Sequence, residues 1–166
     1  MVHIPNHIFK FFIVALLLAV IVGILNNYRE RFTPAQIVVK PYPDDGLTMV
    51  LNKLHAPKDR IPEMESALRL ACSRTGIDGK LLAVLMFTES NFKKRAVSGK
   101  GYKGLMQTPS ASFFTDVDIL YGARILKEKL KLTGGDLSKA LTLYKGGDSL
   151  SARKQANRVL DIYRTF

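Results

Sequence analysis

Glu89 is the residue whose chemistry fits its sequence neighbourhood least. It closes the run Leu81-Leu82-Ala83-Val84-Leu85-Met86-Phe87-Thr88. That run is apolar nearly all round, which reads as a helix buried in the middle of a domain. A central strand is the rival reading, but the length and leucine content favour helix. A carboxylate at the end of such a helix meets two unfavourable influences. Apolar surroundings disfavour its charged form, and so does the negative end of the helix dipole. Both make it hold a proton more tightly, and a carboxyl group still protonated near neutral pH can act as a general acid. A solvated glutamate at an ordinary helix end is the plainer alternative, and only the neighbours decide between the two.

Other residue types exclude several chemistries. Cys72 is the single cysteine, so an internal disulfide framework is impossible. His3, His7 and His55 share no metal-ligand spacing with each other or with Cys72, which argues against a zinc site. The 25 Lys+Arg against 14 Asp+Glu give a net charge of +11, and such a charge favours a polyanionic partner. Lys93, Lys94, Arg95, Lys100 and Lys103 gather in the segment after Glu89. No recognition helix or base-stacking platform accompanies them, so nucleic acid is not the expected partner. A positive edge beside Glu89 suits an acidic cell-wall polymer; a solvated surface with no specific partner is the other reading.

The elements that must position Glu89 are helical. Pro62 suits the first turn of a helix and Gly76 its end, with Met64, Ala67, Leu68 and Ala71 at helical spacing between them. Asp78 caps a second helix, Gly79 to Ser90. After a glycine-rich stretch, residues 91–113, a third helix runs from about Asp116 to Leu132, with Ile119, Ala123, Leu126 and Leu130 on one face. Asp116 and Asp118 read as helix-start residues. Asp136 caps a helix from Leu137 to Tyr144, and a last helix runs from about Leu150 to Tyr163. No segment alternates like a strand. The fold class is mainly α, with the domain placed at residues 61–166.

Ahead of it lie two different segments. Residues 26–60 read as a connection, broken by Pro34, Pro41, Pro43 and Pro57, with a short helix from Leu47 to His55 inside it. Residues 1–25 read as a membrane anchor. Phe11 to Leu25 carry no charge, and with Ile8 and Phe9 the stretch 8–25 reaches the short end of a spanning helix. A cleaved signal sequence is the competing reading, but Leu25-Asn26-Asn27-Tyr28-Arg29 makes a poor cleavage site. Arg29, Arg31 and Lys40 outnumber Lys10, which by the positive-inside rule points the C-terminal part toward the cytoplasm. This conflicts with the extracytoplasmic setting expected below.

Around Glu89 the chain reads Thr88-Glu89-Ser90-Asn91-Phe92, then Ala96-Val97-Ser98, Gly104-Leu105-Met106-Gln107 and, roughly 40 residues on, Tyr144-Lys145-Gly146-Gly147. In this order and spacing these residues resemble the catalytic domain of the soluble lytic transglycosylase family, which shares a lysozyme-like fold with goose-type lysozymes. The resemblance covers about residues 62–166. It implies cleavage of the β-1,4 bond between N-acetylmuramic acid and N-acetylglucosamine in peptidoglycan, without water, metal or other cofactor. It implies Glu89 as the single catalytic carboxylate, first acid and then base, with a 1,6-anhydro sugar as product. It implies substrate contacts from Ser90, Gly104, Met106, Gln107 and Tyr144. Ser90 is open between orienting Glu89, binding a sugar N-acetyl group and merely ending the helix. Met106 is open between the sugar and the core, and Tyr144 between the site and helix packing. Leu105 reads as core, and Tyr102 borders the groove. Lys145 departs from the family pattern, which has asparagine there; attraction of peptide-stem carboxylates is one role for it.

Two other functions keep the same residues. One is a hydrolytic muramidase of the same fold. The other is an inactive, membrane-anchored wall-binding or assembly protein. The expected setting is a bacterial inner membrane facing the periplasm, serving a secretion or conjugation apparatus, or the membrane of a phage virion, where the enzyme opens the wall for genome entry.

Overall fold

Helix α3 (Gly79–Ser90) is the axis of the fold. The computed structural model describes residues 46–166 apart from Ala111 and Phe113. Leu82, Ala83, Val84, Leu85 and Met86 of α3 are wholly buried, as an all-round apolar helix requires. Burying each of its larger side chains contributes about 1.5–3 kcal/mol. Around it stand α1 (Leu47–Lys53), α2 (Ile61–Thr75), α4 (Thr115–Leu132) and α6 (Leu150–Tyr163). The short α5 (Leu137–Tyr144) packs between α4 and α6. Helix α2 lies along α4, and α3 touches α1, α2, α4 and α6. Among the described residues no strand forms; isolated bridges join Val97 to Lys103 and Lys103 to Thr108. The fold is mainly helical, as expected.

Polar residues at the helix starts fix the boundaries. The Asp78 side chain accepts from the Lys80 N–H at 2.9 Å. Asp136 does the same for Lys139 at 3.0 Å, and Ser149 for Ala152 at 3.1 Å. Each satisfies an N–H that the first helical turn leaves unpaired. Gly76 ends α2 in the left-handed conformation, φ 74°, which favours glycine.

The compact unit begins earlier than residue 61. Leu47, Val50, Leu51, Leu54 and Ala56 are buried in the same core as α2 and α3. Residues 47–56, expected within the connection, are therefore part of the domain. The short helix expected there does form, ending at Lys53. The expected anchor at residues 8–25 lies outside the described residues. Among the described residues no helix is long and apolar enough to cross a membrane.

Candidate active site

Glu89 occupies the last turn of α3, with its side chain 14% exposed. The chain then reverses sharply. Asn91 (φ 50°) and Phe92 (φ 61°) both take left-handed conformations. The Phe92 ring is buried, with its centroid 5.8 Å from that of Phe87. Its carbonyl accepts from Arg60 Nη1 at 3.1 Å. This turn makes one wall of a cleft of about 490 Å³. Phe87, Thr88, Glu89, Ser90 and Asn91 line that wall; Ala96, Val97, Ser98 and Gln107 come from the following loop, and Arg158 comes from α6. Among these lining residues Glu89 is the only acid.

The loop is tied to itself. Gly104 N–H donates to the Ala96 carbonyl at 3.0 Å, and Lys103 and Thr108 exchange backbone bonds of 3.1 Å. Gln107 Nε2 donates to the carbonyls of Ala96 (3.1 Å) and Gly104 (2.9 Å). Gln107 therefore lines the cleft, with its amide nitrogen occupied in holding the loop. Gly104 adopts φ 81°, a left-handed turn that a side chain would strain. It does not line the cleft.

Two further helices clamp the Gly104–Gln107 turn. From α4, Asp118 Oδ2 accepts from the Leu105 N–H at 2.6 Å. From α5, the Tyr144 hydroxyl donates to the Met106 carbonyl at 2.9 Å. Met106 is fully buried, and its side chain lies against Gly122 so closely that a Cβ on Gly122 would sit 2.6 Å from the Met106 Cβ. This corrects the expected sugar contact: Met106 is core, and its backbone carbonyl rather than its side chain meets Tyr144. Leu105 is core as expected. Tyr144 does not line the cleft; it stands behind it, supporting the loop. Ser90 does line it, while its hydroxyl donates back to the Met86 carbonyl at 3.1 Å. Tyr102 is exposed and lies outside the lining.

Lys145 makes the nearest contact to Glu89. Its Nζ lies 2.9 Å from Glu89 Oε1 and 3.1 Å from Thr88 Oγ1, and its side chain is 2% exposed. Sequence reasoning offered peptide carboxylates as its partner; the protein's own glutamate takes that place.

Burial sets the electrostatics. It raises the Glu89 pKa above the usual carboxylate value, and the Lys145 ammonium pulls back against that rise. Burial lowers the pKa of Lys145, against the attraction of Glu89 and with a further push from Arg158. Tyr144 is held well above the usual phenol value by burial, then by Glu89 and Asp118, so its hydroxyl remains a donor. Asp118 is raised by burial, against the opposing pull of the Leu105 and Met106 backbone. The arrangement can present one carboxyl, its pKa raised by burial, to a ligand in a cleft whose lining carries one cation, Arg158. Among the described residues no group of three His, Cys, Asp or Glu side chains is placed to hold a metal ion.

Asp118 and Arg158 were missed as site residues. The first had a signal: Thr115, Asp118, Ile119, Gly122, Ala123 and Leu126 form the buried stripe of α4, and Asp118 sits inside that spacing. Arg158 had none, since it lies on the exposed side of α6 in no motif. No solved structure matches the chain. The model of the transglycosylase SLT domain matches residues 66–160, over half of the 166 residues and including Glu89, Gln107 and Tyr144: the chain belongs to this family.

Proposed function

We propose that the chain is a peptidoglycan lytic transglycosylase in which Glu89 is the catalytic acid and base. One observation carries this reading: a single largely buried carboxyl lines a cleft that holds no second acid among its described lining residues. Two-carboxylate glycosidases need a partner acid as nucleophile or as base for water. A cleft lined by one carboxyl suits a substrate that supplies its own nucleophile. Glu89 protonates the glycosidic oxygen as the bond to C1 of the muramic acid breaks. The resulting carboxylate then takes the proton of the same sugar's C6 hydroxyl, whose oxygen closes on C1. The proton count of Glu89 is unchanged, and the product is a 1,6-anhydro ring. Gln107, Ser90 and Arg158 line the cleft, and the net charge of +11 favours an acidic polymer. The apolar run at residues 11–25, acting as an anchor, would confine the domain to a membrane surface, in the bacterial envelope or in a phage virion.

The test is incubation of the full chain with purified peptidoglycan beside Glu89→Gln, with the released muropeptides identified by mass spectrometry. Anhydro-ended products are expected from the wild type. The variant should lose at least about 10²-fold in rate, the usual minimum for a general acid. Products carrying an added water would move the chain to the hydrolytic muramidases. No release by a folded wild type would leave a wall-binding protein. Fractionation of virions and of uninfected envelopes distinguishes the two settings.

A further inference from the structure

A lysine at the end of a surface helix ordinarily keeps its ammonium in water and lays only its stem on the protein. Lys145, just past the end of α5, does the reverse. Its side chain is 2% exposed and its Nζ bonds two fixed oxygens, Glu89 Oε1 at 2.9 Å and Thr88 Oγ1 at 3.1 Å. We propose that Lys145 is a positioning residue for Glu89, holding Oε1 so that Oε2 is the oxygen that delivers and takes back the proton, and setting the upper pH limit of the reaction. This rests on the reading of Glu89 as the general acid.

Three consequences follow from the geometry. A carboxyl gripped at one oxygen and flanked by Thr88 loses its freedom to rotate. The carboxylate formed when the proton leaves Oε2 finds its counter-charge already in place, without reorganisation. The same cation makes Glu89 a stronger acid than burial alone would leave it, so the protonated form is lost at a lower pH than in a chain without Lys145. Lys145 keeps its own protons throughout: the proton passes from Oε2 to the glycosidic oxygen and returns to the carboxylate from the C6 hydroxyl. The other charged and titratable groups facing the pair are few. Arg158 approaches from α6 and repels the ammonium. Tyr144 of α5 is partly buried and un-ionised, and it feels both Glu89 and Asp118 of α4. Lys100 Nζ comes within 3.5 Å of where a Cβ on Gly146 would be. Among these neighbours Glu89 alone gives Lys145 a contact of opposite charge.

The experiment compares the full chain with Lys145→Met, which keeps an unbranched side chain and removes the charge. The pH dependence of kcat/KM for anhydro-muropeptide release is measured. The Glu89 carboxyl is titrated separately by carbon NMR of glutamate-labelled protein, assigned with Glu89→Gln. In K145M the alkaline limb should move up by about 1–3 pH units, with the Glu89 titration moving alongside it. At the wild-type optimum kcat/KM should fall roughly 10–100-fold, the loss expected for a misplaced reacting group. Restoring an ammonium should return the limb: K145C in a C72S background, which removes the one native thiol, is alkylated with bromoethylamine for this purpose. This second variant also serves if K145M does not fold. An unmoved or lowered Glu89 titration in the uncharged variant overturns the proposal. If the wild type releases no anhydro products, the titration still decides on the pair, and the failure belongs to the transglycosylase reading.

Discussion

Replacing Asp118 separates a structural carboxylate from a catalytic one. Asp118 is 1% exposed, and its Oδ2 accepts from the Leu105 N–H at 2.6 Å. Alanine at this position strands that N–H group in a buried site. An unpaired buried donor costs about 1–3 kcal/mol, so Asp118→Ala should destabilise the chain by about that much. Asparagine keeps an acceptor oxygen in the same place and removes the buried charge, so Asp118→Asn should cost under about 1.5 kcal/mol. Wild type and D118N also differ with pH. Burial raises the Asp118 pKa above its ordinary 3.8, so the folded chain holds this proton more tightly than the unfolded one. The contribution that this makes to stability is complete below 3.8 and is lost as pH rises through the folded pKa. The asparagine side chain does not titrate and brings no such dependence. The deficit of D118N relative to wild type should therefore shrink as pH rises through that window. Urea unfolding followed by far-ultraviolet circular dichroism at several pH values reads both effects. Equal losses in the two variants, or a deficit in D118N that grows with pH, would refute the account of Asp118 as a clamp on the Leu105 backbone.

Two further outcomes test the packing behind the cleft. Gly122→Ala would put a Cβ within 2.6–2.8 Å of the Met106 Cβ, Cγ and Cε. Overpacking of this kind costs about 1–3 kcal/mol, and the displaced Met106 carries the carbonyl held by Tyr144; a wild-type Tm and unaltered peptidoglycan cleavage in G122A would show that α4 yields without strain. Asp78→Ala removes the cap on the Lys80 N–H and the partner of the Tyr163 hydroxyl. A loss of about 0.5–2 kcal/mol is expected, with cleavage at moderate temperature retained, and an unchanged urea midpoint would show that this cap is redundant.

What could be read in the sequence was whatever is encoded locally. Asp78, Asp136, Pro62 and Gly76 mark helix ends through their own hydrogen-bonding or backbone preferences, and the structure places the helix boundaries at those residues. Glu89 could be read because a carboxylate after an apolar run contradicts its surroundings. The roles of Met106, Tyr144 and Lys145 could not be assigned in this way. Each depends on which element stands opposite: Gly122 across from Met106, the Met106 carbonyl within reach of Tyr144, Glu89 beside Lys145. Spacing along the chain carries none of these pairings. Residues 47–56 were misplaced for a related reason. Prolines on either side made the segment resemble a connection, whereas Leu47, Val50 and Leu51 are the buried face of a helix only two turns long, too short for its periodicity to stand out.

The backbone at the cleft shows why the site needs this remote support. Of the non-glycine residues with positive φ, Asn91, Phe92 and Gln107 belong to the turn after Glu89 or to the loop facing it; among the described residues only His55 lies elsewhere. Asparagine tolerates this region, but a phenylalanine and a glutamine do not adopt it for local reasons. Each strained residue costs on the order of 1 kcal/mol or more. At Phe92 the opposing gain is the burial of a whole aromatic ring, up to about 3 kcal/mol, together with the bond from Arg60 to its carbonyl. At Gln107 it is the pair of amide bonds to Ala96 and Gly104. Local preference therefore opposes the shape of the cleft, and tertiary contacts impose it. Arg60 lies in the segment read as connection, one residue before α2, yet it secures the turn that directs the chain away from Glu89. A cleft wall held against its own local preference by distant partners takes its shape from the fold and not from a ligand. If Glu89 is the general acid proposed above, its approach to a glycosidic oxygen depends on that wall.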